Sequence, residues 1–169
     1  PKKHSDRYAR PMRAVWQGDS DKFYVIRQSR DIQRADLCVV DVNTATAKEL
    51  IVEEMNTSIE WQEPTLISGD KEIIQWSERT GWAHLYRYTT DGELVNQITK
   101  GEWHVSNILG VDDAKRVIYF TATGYNKDEN PYYLHLFRVN YDGSGLKQLD
   151  LKDFNGEFSL SDDRRYFVT

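Results

Sequence analysis

The chain has little cysteine and no long apolar run. A single cysteine, Cys38, stands among 169 residues, which excludes an internal disulfide and a cysteine-rich metal site. It lies in an apolar, strand-like run, so we predict a buried, unreactive thiol. No apolar run approaches the ~18 residues of a membrane-spanning helix, so no membrane span is expected in this segment. Residues 1–20 also lack the apolar stretch of a signal peptide. Since the first residue is Pro1 and not Met, we expect the true N-terminus to lie upstream.

The chain also lacks an excess of positive charge. It has 22 basic and 27 acidic residues, a net charge of −5, without a block of like charges. Nucleic-acid binding is therefore disfavoured, because the neutralisation of phosphates needs a basic face. A short basic cluster near the start is interpreted as a solvated segment; it comprises Lys2, Lys3, Arg7, Arg10 and Arg13.

What the sequence does contain is an internal repeat. Residues 84–92 (HLYRYTTDG) recur as residues 135–143 (HLFRVNYDG), at an offset of 51, and a weaker copy lies at residues 36–44 (DLCVVDVNT). Each copy has the alternation of a strand followed by a tight turn and a short strand. Asp-Gly provides a positive-φ turn in the two stronger copies, and Asn43-Thr44 is predicted to replace it in the weaker one.

A second hairpin recurs between these copies. It consists of an apolar stretch, an acidic turn with a basic residue, and a β-rich run. Its four copies lie at residues 15–26, 65–74, 108–120 and 158–168. The two kinds of hairpin alternate, so the repeating unit is four antiparallel strands in about 44 to 51 residues, the size of a β-propeller blade.

The predicted fold class is therefore all-β, a partial β-propeller of about three and a half four-stranded antiparallel blades. Residues 1–169 are predicted to be a fragment of one propeller domain, with blades at approximately 13–56, 57–101, 102–151 and, in part, 152–169. Helical periodicity is absent apart from residues 48–56, where a short helical turn is an alternative. Because propellers hide strand edges by closing with roughly 4–8 blades, we expect this segment to be embedded in a longer chain or packed against a partner.

The polar residues that could carry chemistry also have structural interpretations. His84 and His135 occupy equivalent repeat positions, where a bond to a neighbouring strand is favoured over catalysis. Asp112-Asp113 and Asp162-Asp163 recur at a hairpin turn, so we interpret them as turn-capping residues and not as a calcium site. No two histidines lie at ligand spacing with a carboxylate. We therefore predict no catalytic residue, no metal ligand and no cofactor, and substrate-binding residues stay unassigned.

Several segments together carry a family resemblance. Residues 77–86 read SERTGWAHLY, residues 97–105 read QITKGEWHV, and residues 117–122 and 135–139 read VIYFTA and HLFRV; upstream, RDIQ stands at residues 30–33. In this order they resemble the N-terminal β-propeller region of the dipeptidyl peptidase IV family, within the prolyl oligopeptidase superfamily of serine peptidases. The resemblance extends from about Trp16 to Thr169 and fits the second half of that propeller.

The resemblance implies the non-catalytic propeller portion of a serine exopeptidase of the dipeptidyl or tripeptidyl type. Such a propeller gates and positions peptides that are cleaved after Pro or Ala near the N-terminus by a separate C-terminal α/β-hydrolase domain. That domain and the peptide substrate are the implied partners, a homodimer is left open, and the implied location is the periplasm or the cell surface. The sequence has no Gly-x-Ser-x-Gly nucleophile elbow, so the parent protein and not this fragment is expected to be the enzyme.

The chain departs from the family in places that bear on a site. Glu53-Glu54 follows the third strand of a blade, whereas the family's acidic pair lies upstream, so a solvated or inter-blade role is predicted. Residues 59–61 (IEW) replace a Phe-Arg pair, so that substrate contact is not carried over. The loop at residues 124–133 is longer than the other hairpin connections and is our predicted interface, with the hydrolase domain or a neighbouring subunit.

Three further features keep alternatives open. Trp61, Trp82 and Trp103 could form a sugar-stacking face, although aromatic residues at repeated blade positions are expected in the core. Residues 56–58 (NTS) match a glycosylation sequon. A non-enzymatic propeller that acts as a protein- or glycan-binding platform is the alternative function.

Overall fold

The computed structural model describes residues 7–9, 14–18 and 21–169. These residues form strands, turns and loops, and none of them belongs to a helix that could cross a membrane. Of the basic cluster, only Arg7 is among the described residues, in the first strand. His4 lies outside them, as do Asp19 and Ser20 of the first predicted acidic turn. The strands are β1 (Arg7–Ala9), β2 (Val15–Trp16), β3 (Lys22–Ser29), β4 (Arg34–Asp41), β5 (Thr46–Glu54), β6 (Thr65–Ile67), β7 (Glu72–Ser77), β8 (His84–Thr89), β9 (Leu94–Gln97), β10 (His104–Asp112), β11 (Val117–Thr123), β12 (Leu134–Asn140), β13 (Lys147–Gln148), β14 (Ser159–Leu160) and β15 (Phe167–Val168).

The strands form successive sheets in chain order. The first sheet has the order β1-β3-β4-β5, with β2 also paired to β3; the next two are β6-β7-β8-β9 and β10-β11-β12-β13, and β14 pairs with β15. The pairings are antiparallel, as hairpin connections require. The all-β prediction is confirmed, and each predicted copy of the second hairpin holds a strand pair. The division into blades at the stated boundaries stays a prediction.

The short helical turn considered for residues 48–56 is wrong. Most of these residues lie in β5, which pairs with β4 from Asp41↔Thr46 to Arg34↔Glu54, with an irregularity next to Leu37. Backbone pairing along a whole neighbouring strand satisfies the amide and carbonyl groups that an isolated helical turn would leave exposed. Tertiary pairing therefore outweighs the local helical propensity of this charged segment.

The chain divides into two compact units. One contains the described residues up to Arg79 together with Tyr88–Glu93, and the other contains Thr80–Arg87 and Leu94–Thr169. In the first unit, β3 buries alternate side chains, Tyr24, Ile26 and Gln28, as expected for a strand with one face in the core. The Nε2 of the buried Gln28 donates to the carbonyl of Ile59 at 3.0 Å.

The core of the second unit is aromatic. Trp103, Phe120 and Phe137 lie nearly parallel, with ring centroids 5.6–6.2 Å apart. Tyr125 meets Phe137 edge-on at 4.9 Å and Trp103 at 5.5 Å. These are the favoured geometries for aromatic pairs, and each pair adds roughly 0.5–1.5 kcal/mol to the burial of its apolar area. The loop that carries Tyr125 is thus tied to the core at its first residues.

The repeated tight turns are confirmed in the two stronger copies. Gly92 and Gly143 have φ of 91° and 87°, the left-handed conformation predicted for Asp-Gly. In the weaker copy the positive φ falls on Ala45, at 52°, and not on Asn43-Thr44. The reason is that Asp41 Oδ1 accepts hydrogen bonds from the amides of Asn43 and Thr44, at 3.0 and 3.1 Å, which moves the reversal one residue further along.

Two glycines with the same backbone conformation test the packing of these turns. A Cβ on Gly92 would lie 2.4 Å from the carbonyl oxygen of Leu50, whereas one on Gly81, at φ 87°, would meet nothing within 4 Å. We expect Gly81→Ala to lower the free energy of unfolding by about 1–2 kcal/mol through backbone strain alone. Gly92→Ala should cost about 1–3 kcal/mol more because of the overlap. Urea denaturation of both variants measures the difference, and equal losses would contradict the close approach.

Candidate functional site: the histidine cluster beneath the 124–133 loop

One position of the repeat buries a polar side chain in each of three sheets. Asp36 in β4, His84 in β8 and His135 in β12 stand at equivalent repeat positions and are 0%, 1% and 1% exposed. A buried polar group costs free energy unless it is hydrogen-bonded or paired. The hydrogen-bond and ion-pair partners of these three residues therefore show the role of this position in each sheet.

Asp36 is held between two arginines. Arg27 Nη2 donates to Asp36 Oδ2 and Arg34 Nε donates to Oδ1, both at 3.1 Å. Arg27 also donates to Glu49 at 2.6 Å, so the charges form a small network across β3, β4 and β5. Such a network satisfies the buried carboxylate of Asp36. Asp36 is thus a structural residue.

His84 is held by neutral partners. Its Nε2 lies 2.9 Å from the carbonyl oxygen of Gly101, and its Nδ1 lies 3.1 Å from Thr99 Oγ1. Burial lowers the pKa of His84, although the bond to Gly101 opposes this, so the ring is neutral. Since a carbonyl can only accept, Nε2 carries the proton and Nδ1 accepts from the hydroxyl of Thr99. A structural hydrogen bond was predicted for this histidine, and it is made, but the accepting carbonyl lies in the bend between β9 and β10 and not in a neighbouring strand.

His135 repeats the geometry of His84 with charged partners. Asp150 takes the place of Thr99, and its Oδ2 lies 2.8 Å from His135 Nδ1. The amide of Leu136 donates to Asp150 Oδ1 at 3.1 Å, as the amide of Leu85 donates to Thr99 Oγ1 at 3.0 Å. On the other side of the ring, Glu129 Oε1 lies 2.8 Å from Nε2, without the alignment of a hydrogen bond. The result is a buried imidazole between two carboxylates.

Glu129 connects this cluster to the long loop. Although it belongs to residues 124–133, its side chain is only 4% exposed. It accepts from Asn126 Nδ2 at 2.6 Å and from the amide of Asp153 at 2.9 Å. Burial acts to raise the pKa of Glu129, but the Asp153 amide, Asn126 and His135 outweigh it, so the pKa is lowered. An ionised Glu129 therefore holds the loop against His135 and the amide of Asp153.

The cluster can order a loop but offers no acid or base to a substrate. Both ring nitrogens of His135 face carboxylates, and the ring is almost inaccessible to solvent. Because the two nitrogens point in opposite directions, Glu129 and Asp150 do not converge on one point with the ring. Among the described residues no group of His, Cys, Asp and Glu side chains could hold a metal ion. The hydroxyl of Ser161 donates to Asp163 Oδ1 at 2.7 Å and has no histidine partner here.

Above the cluster, the loop and the segment that follows β13 present apolar side chains to solvent. Tyr132, Leu151 and Phe154 are 84%, 75% and 67% exposed. The amide of Leu134 donates to Asn155 Oδ1 at 2.9 Å, which joins the loop's end to that segment. Leu151 and Phe154 also line a cavity of about 420 Å³. Exposed apolar groups on a fixed loop are typical of an interaction surface.

The sequence identified the loop and His135 but not the two carboxylates. Asp150 could have been found, because it stands at the Thr99 position of the repeat, where its side chain caps the same amide. Glu129 gave no signal, because no local pattern shows that its carboxylate turns inward to meet Asn126, His135 and the amide of Asp153, which lies 24 residues away.

The acidic pair Glu53-Glu54 has the predicted inter-blade role at its first member. Glu53 is buried, accepts from Ser77 Oγ at 2.8 Å and pairs with Arg79 Nη2 at 2.5 Å. Ser77 and Arg79 are the first and third residues of the SERTG segment, so β5 of the first sheet is fastened to the end of β7. Glu54 is 62% exposed and pairs with Arg34.

The predictions for Cys38 and for the paired aspartates are confirmed. Cys38 is buried, and burial raises the pKa of its thiol to about 11, as expected of an unreactive cysteine. The turn-capping role is confirmed by the bonds from the Lys115 amide to Asp112 and from the Arg165 amide to Asp163.

The predictions for the tryptophans have mixed outcomes. Trp103 is in the core as predicted, and Trp61 is half-buried. The core prediction for Trp82 is wrong, since it is 42% exposed in the bend after Gly81, where no strand face covers it.

Comparison with protein families gives one match along almost the whole chain. The family model described as the dipeptidyl peptidase IV N-terminal region matches residues 2–169. A dipeptidyl peptidase 4 of the fungus Arthroderma otae is 30% identical over 131 residues, which cover 73% of this chain and 16% of that protein. A dipeptidyl peptidase 4 of Trichophyton equinum is 32% identical over 118 residues, 66% of this chain and 15% of that protein. The chain spans about one-sixth of the length of these curated relatives.

Solved structures show the same fold. The crystal structure of Porphyromonas gingivalis dipeptidyl peptidase 4 superimposes with a TM-score of 0.81 at 20% identity, covering 96% of this chain and 22% of that one. A protein assigned as a dipeptidyl aminopeptidase IV from Bacteroides ovatus gives a TM-score of 0.80 at 24% identity, covering 96% and 25%. At this identity the likeness concerns the fold alone, and it confirms the all-β, partial-propeller prediction.

The two adjacent glutamates give a matched pair of substitutions. Glu53→Ala should lower the free energy of unfolding by about 2–4 kcal/mol, because it leaves Arg79 and Ser77 without their buried acceptor. Glu54→Ala should cost less than about 1 kcal/mol, because its ion pair with Arg34 is exposed. Chemical denaturation monitored by tryptophan fluorescence measures both losses. Equal losses would refute the fastening role of Glu53.

The lowered pKa of Glu129 predicts acid release of the loop. Its stabilising contribution is complete above the ordinary value of 4.5 and is lost as the pH falls through the lower folded pKa. Hydrogen exchange of the amides at residues 124–133 should therefore accelerate as the pH falls below 4.5, beyond the intrinsic trend. Glu129→Gln should exchange fast already near neutral pH, whereas Glu157→Gln, at an exposed position, should behave as wild type. If Glu129→Gln showed the same pH profile of exchange as wild type, Glu129 would not be the residue that holds the loop.

Proposed function

Because the chain belongs to the family of dipeptidyl peptidase IV N-terminal regions, we propose that it is the non-catalytic propeller portion of a serine exopeptidase. It gates and positions peptides, and a separate C-terminal α/β-hydrolase domain cleaves them after Pro or Ala near a free N-terminus. The observation that carries the proposal is the family match along residues 2–169, which extends through the SERTG segment and the histidine repeat. The peptide and the hydrolase domain are the partners, and the periplasm or the cell surface is the location.

The work of such a propeller is selection. A rigid all-β scaffold admits chain ends by size and charge, and its loops supply the contacts, so selectivity is steric and electrostatic. The packing of the second unit supports this role. Tyr125 anchors the start of the 124–133 loop on Trp103 and Phe137, and Glu129 anchors its middle on His135. These two contacts hold the loop that exposes Tyr132.

The same loop is the surface that we propose for contact with the hydrolase domain. Tyr132, Leu151 and Phe154 provide the apolar centre, and Lys152, which pairs with Asp128 at 2.7 Å, lies at its polar margin. An apolar centre with a charged rim is the usual composition of protein interfaces. The cleavage chemistry then belongs to the other domain, in keeping with the absence of a Gly-x-Ser-x-Gly elbow from the 169 residues.

The purified chain provides the test. We expect no release of nitroaniline from a Gly-Pro-nitroanilide substrate and no covalent labelling by a fluorophosphonate, which reacts with activated serines. A sample unfolded in urea serves as the control for background hydrolysis and non-specific labelling. Hydrolysis or labelling that requires the folded chain, and that is lost in Ser161→Ala or Ser144→Ala, would contradict the proposal by placing a nucleophile here.

A further inference from the structure

Residues 56–58 form a short exposed bend between two fastened points. Before it, the amide of Met55 donates to the carbonyl of Gln33 at 2.9 Å, and after it, the amide of Ile59 donates to the carbonyl of Ile32 at 2.8 Å. Ile59 is 4% exposed, whereas Asn56, Thr57 and Ser58 are all exposed. The backbone is therefore held on both sides while these three side chains project from the surface.

The three residues are the one Asn-x-Ser/Thr sequence, with x other than Pro, in the 169 residues. From this motif and its exposure we propose that Asn56 is an acceptor site for an N-linked oligosaccharide. In the transfer, Asn56 Nδ2 forms a bond to C1 of a sugar carried on a lipid diphosphate. The bond from C1 to the diphosphate oxygen breaks, the lipid diphosphate leaves, and Nδ2 loses a proton. The hydroxyl of Ser58 provides the second element that the acceptor sequence requires.

The surroundings of Asn56 favour the modified state. Within the described part of the chain no hydrogen bond holds its amide. Asn43 provides the contrast, because Ala45 follows where a hydroxyl would be needed. A glycan on Asn56 would extend from the bend into solvent and leave the buried side chains of Ile51 and Ile59 undisturbed.

This site is additional to the proposed function, and it becomes modified only where the chain enters a compartment that contains the transferase. The experiment therefore supplies export separately. The 169-residue chain is expressed behind a cleavable signal sequence in a eukaryotic secretory host, and the secreted product is analysed by intact mass and peptide mapping before and after treatment with a peptide N-glycosidase. The variants are Asn56→Gln, Ser58→Ala, Ser58→Thr and Ala45→Ser, the last of which creates a second acceptor sequence at Asn43.

Wild type and Ser58→Thr should carry one enzyme-removable glycan on the peptide with Asn56. Asn56→Gln and Ser58→Ala should be secreted without it, and Ala45→Ser should carry two. The proposal is overturned if secreted wild type has the unmodified mass while Ala45→Ser carries a single glycan on Asn43. It is overturned equally if the wild-type glycan persists in both Asn56→Gln and Ser58→Ala. Neither result bears on peptidase activity, so failure here is distinct from failure of the proposed function.

Discussion

The fold depends on satisfying a polar side chain that is buried near the start of β4, β8 and β12. In the second and third sheets a residue fifteen positions after the histidine, Thr99 or Asp150, accepts from the amide that follows the histidine and also meets its ring. The carbonyls of Leu85 and Leu136 then accept from the amides of Ile98 and Leu149, both at 2.8 Å. In each of these two sheets, the residues just after the fourth strand are thus hydrogen-bonded to the third strand. The first sheet has Ile51 at the equivalent position, which cannot bond, and Asp36 is satisfied by arginines of its own sheet instead. An unsatisfied group at any of these places would cost about 1–3 kcal/mol, a large part of the stability of a domain.

Two exchanges around the histidine give the third sheet its distinctive property. Asp150 meets Nδ1 of His135 where Thr99 meets Nδ1 of His84, and Glu129 of the long loop meets Nε2 where His84 has the carbonyl of Gly101. The contacts of this histidine thereby gain a second role, because they also order the loop that exposes Tyr132. A loop with this many internal bonds loses less entropy when a partner binds, and a preorganised surface binds more tightly for the same contacts.

Local patterns in the sequence predicted the strands and turns but not the contacts between distant segments. Alternation and the Asp-Gly pairs located the hairpins, because those signals depend on a few adjacent residues. The interpretation of residues 48–56 failed because β5 owes its form to pairing with β4, and Ala45 took the positive φ because Asp41 capped the turn. Glu53 was placed between blades from its position after a strand, yet its partners, Ser77 and Arg79, lie 24 and 26 residues away and were not predicted. The role of Glu129 in holding the loop escaped prediction because charge alone does not distinguish Glu129 from its exposed neighbour Asp128.

Whether the chemistry lies in another domain of the parent protein is tested most directly by determining the complete coding sequence that follows the codon for Thr169. We predict that it encodes an α/β-hydrolase domain with a Gly-x-Ser-x-Gly elbow, followed in chain order by the acid and the histidine of a triad. A polypeptide that ends without such an elbow, or that continues into a membrane segment in its place, would contradict the exopeptidase assignment. That result would favour a propeller that binds proteins or glycans without cleaving them.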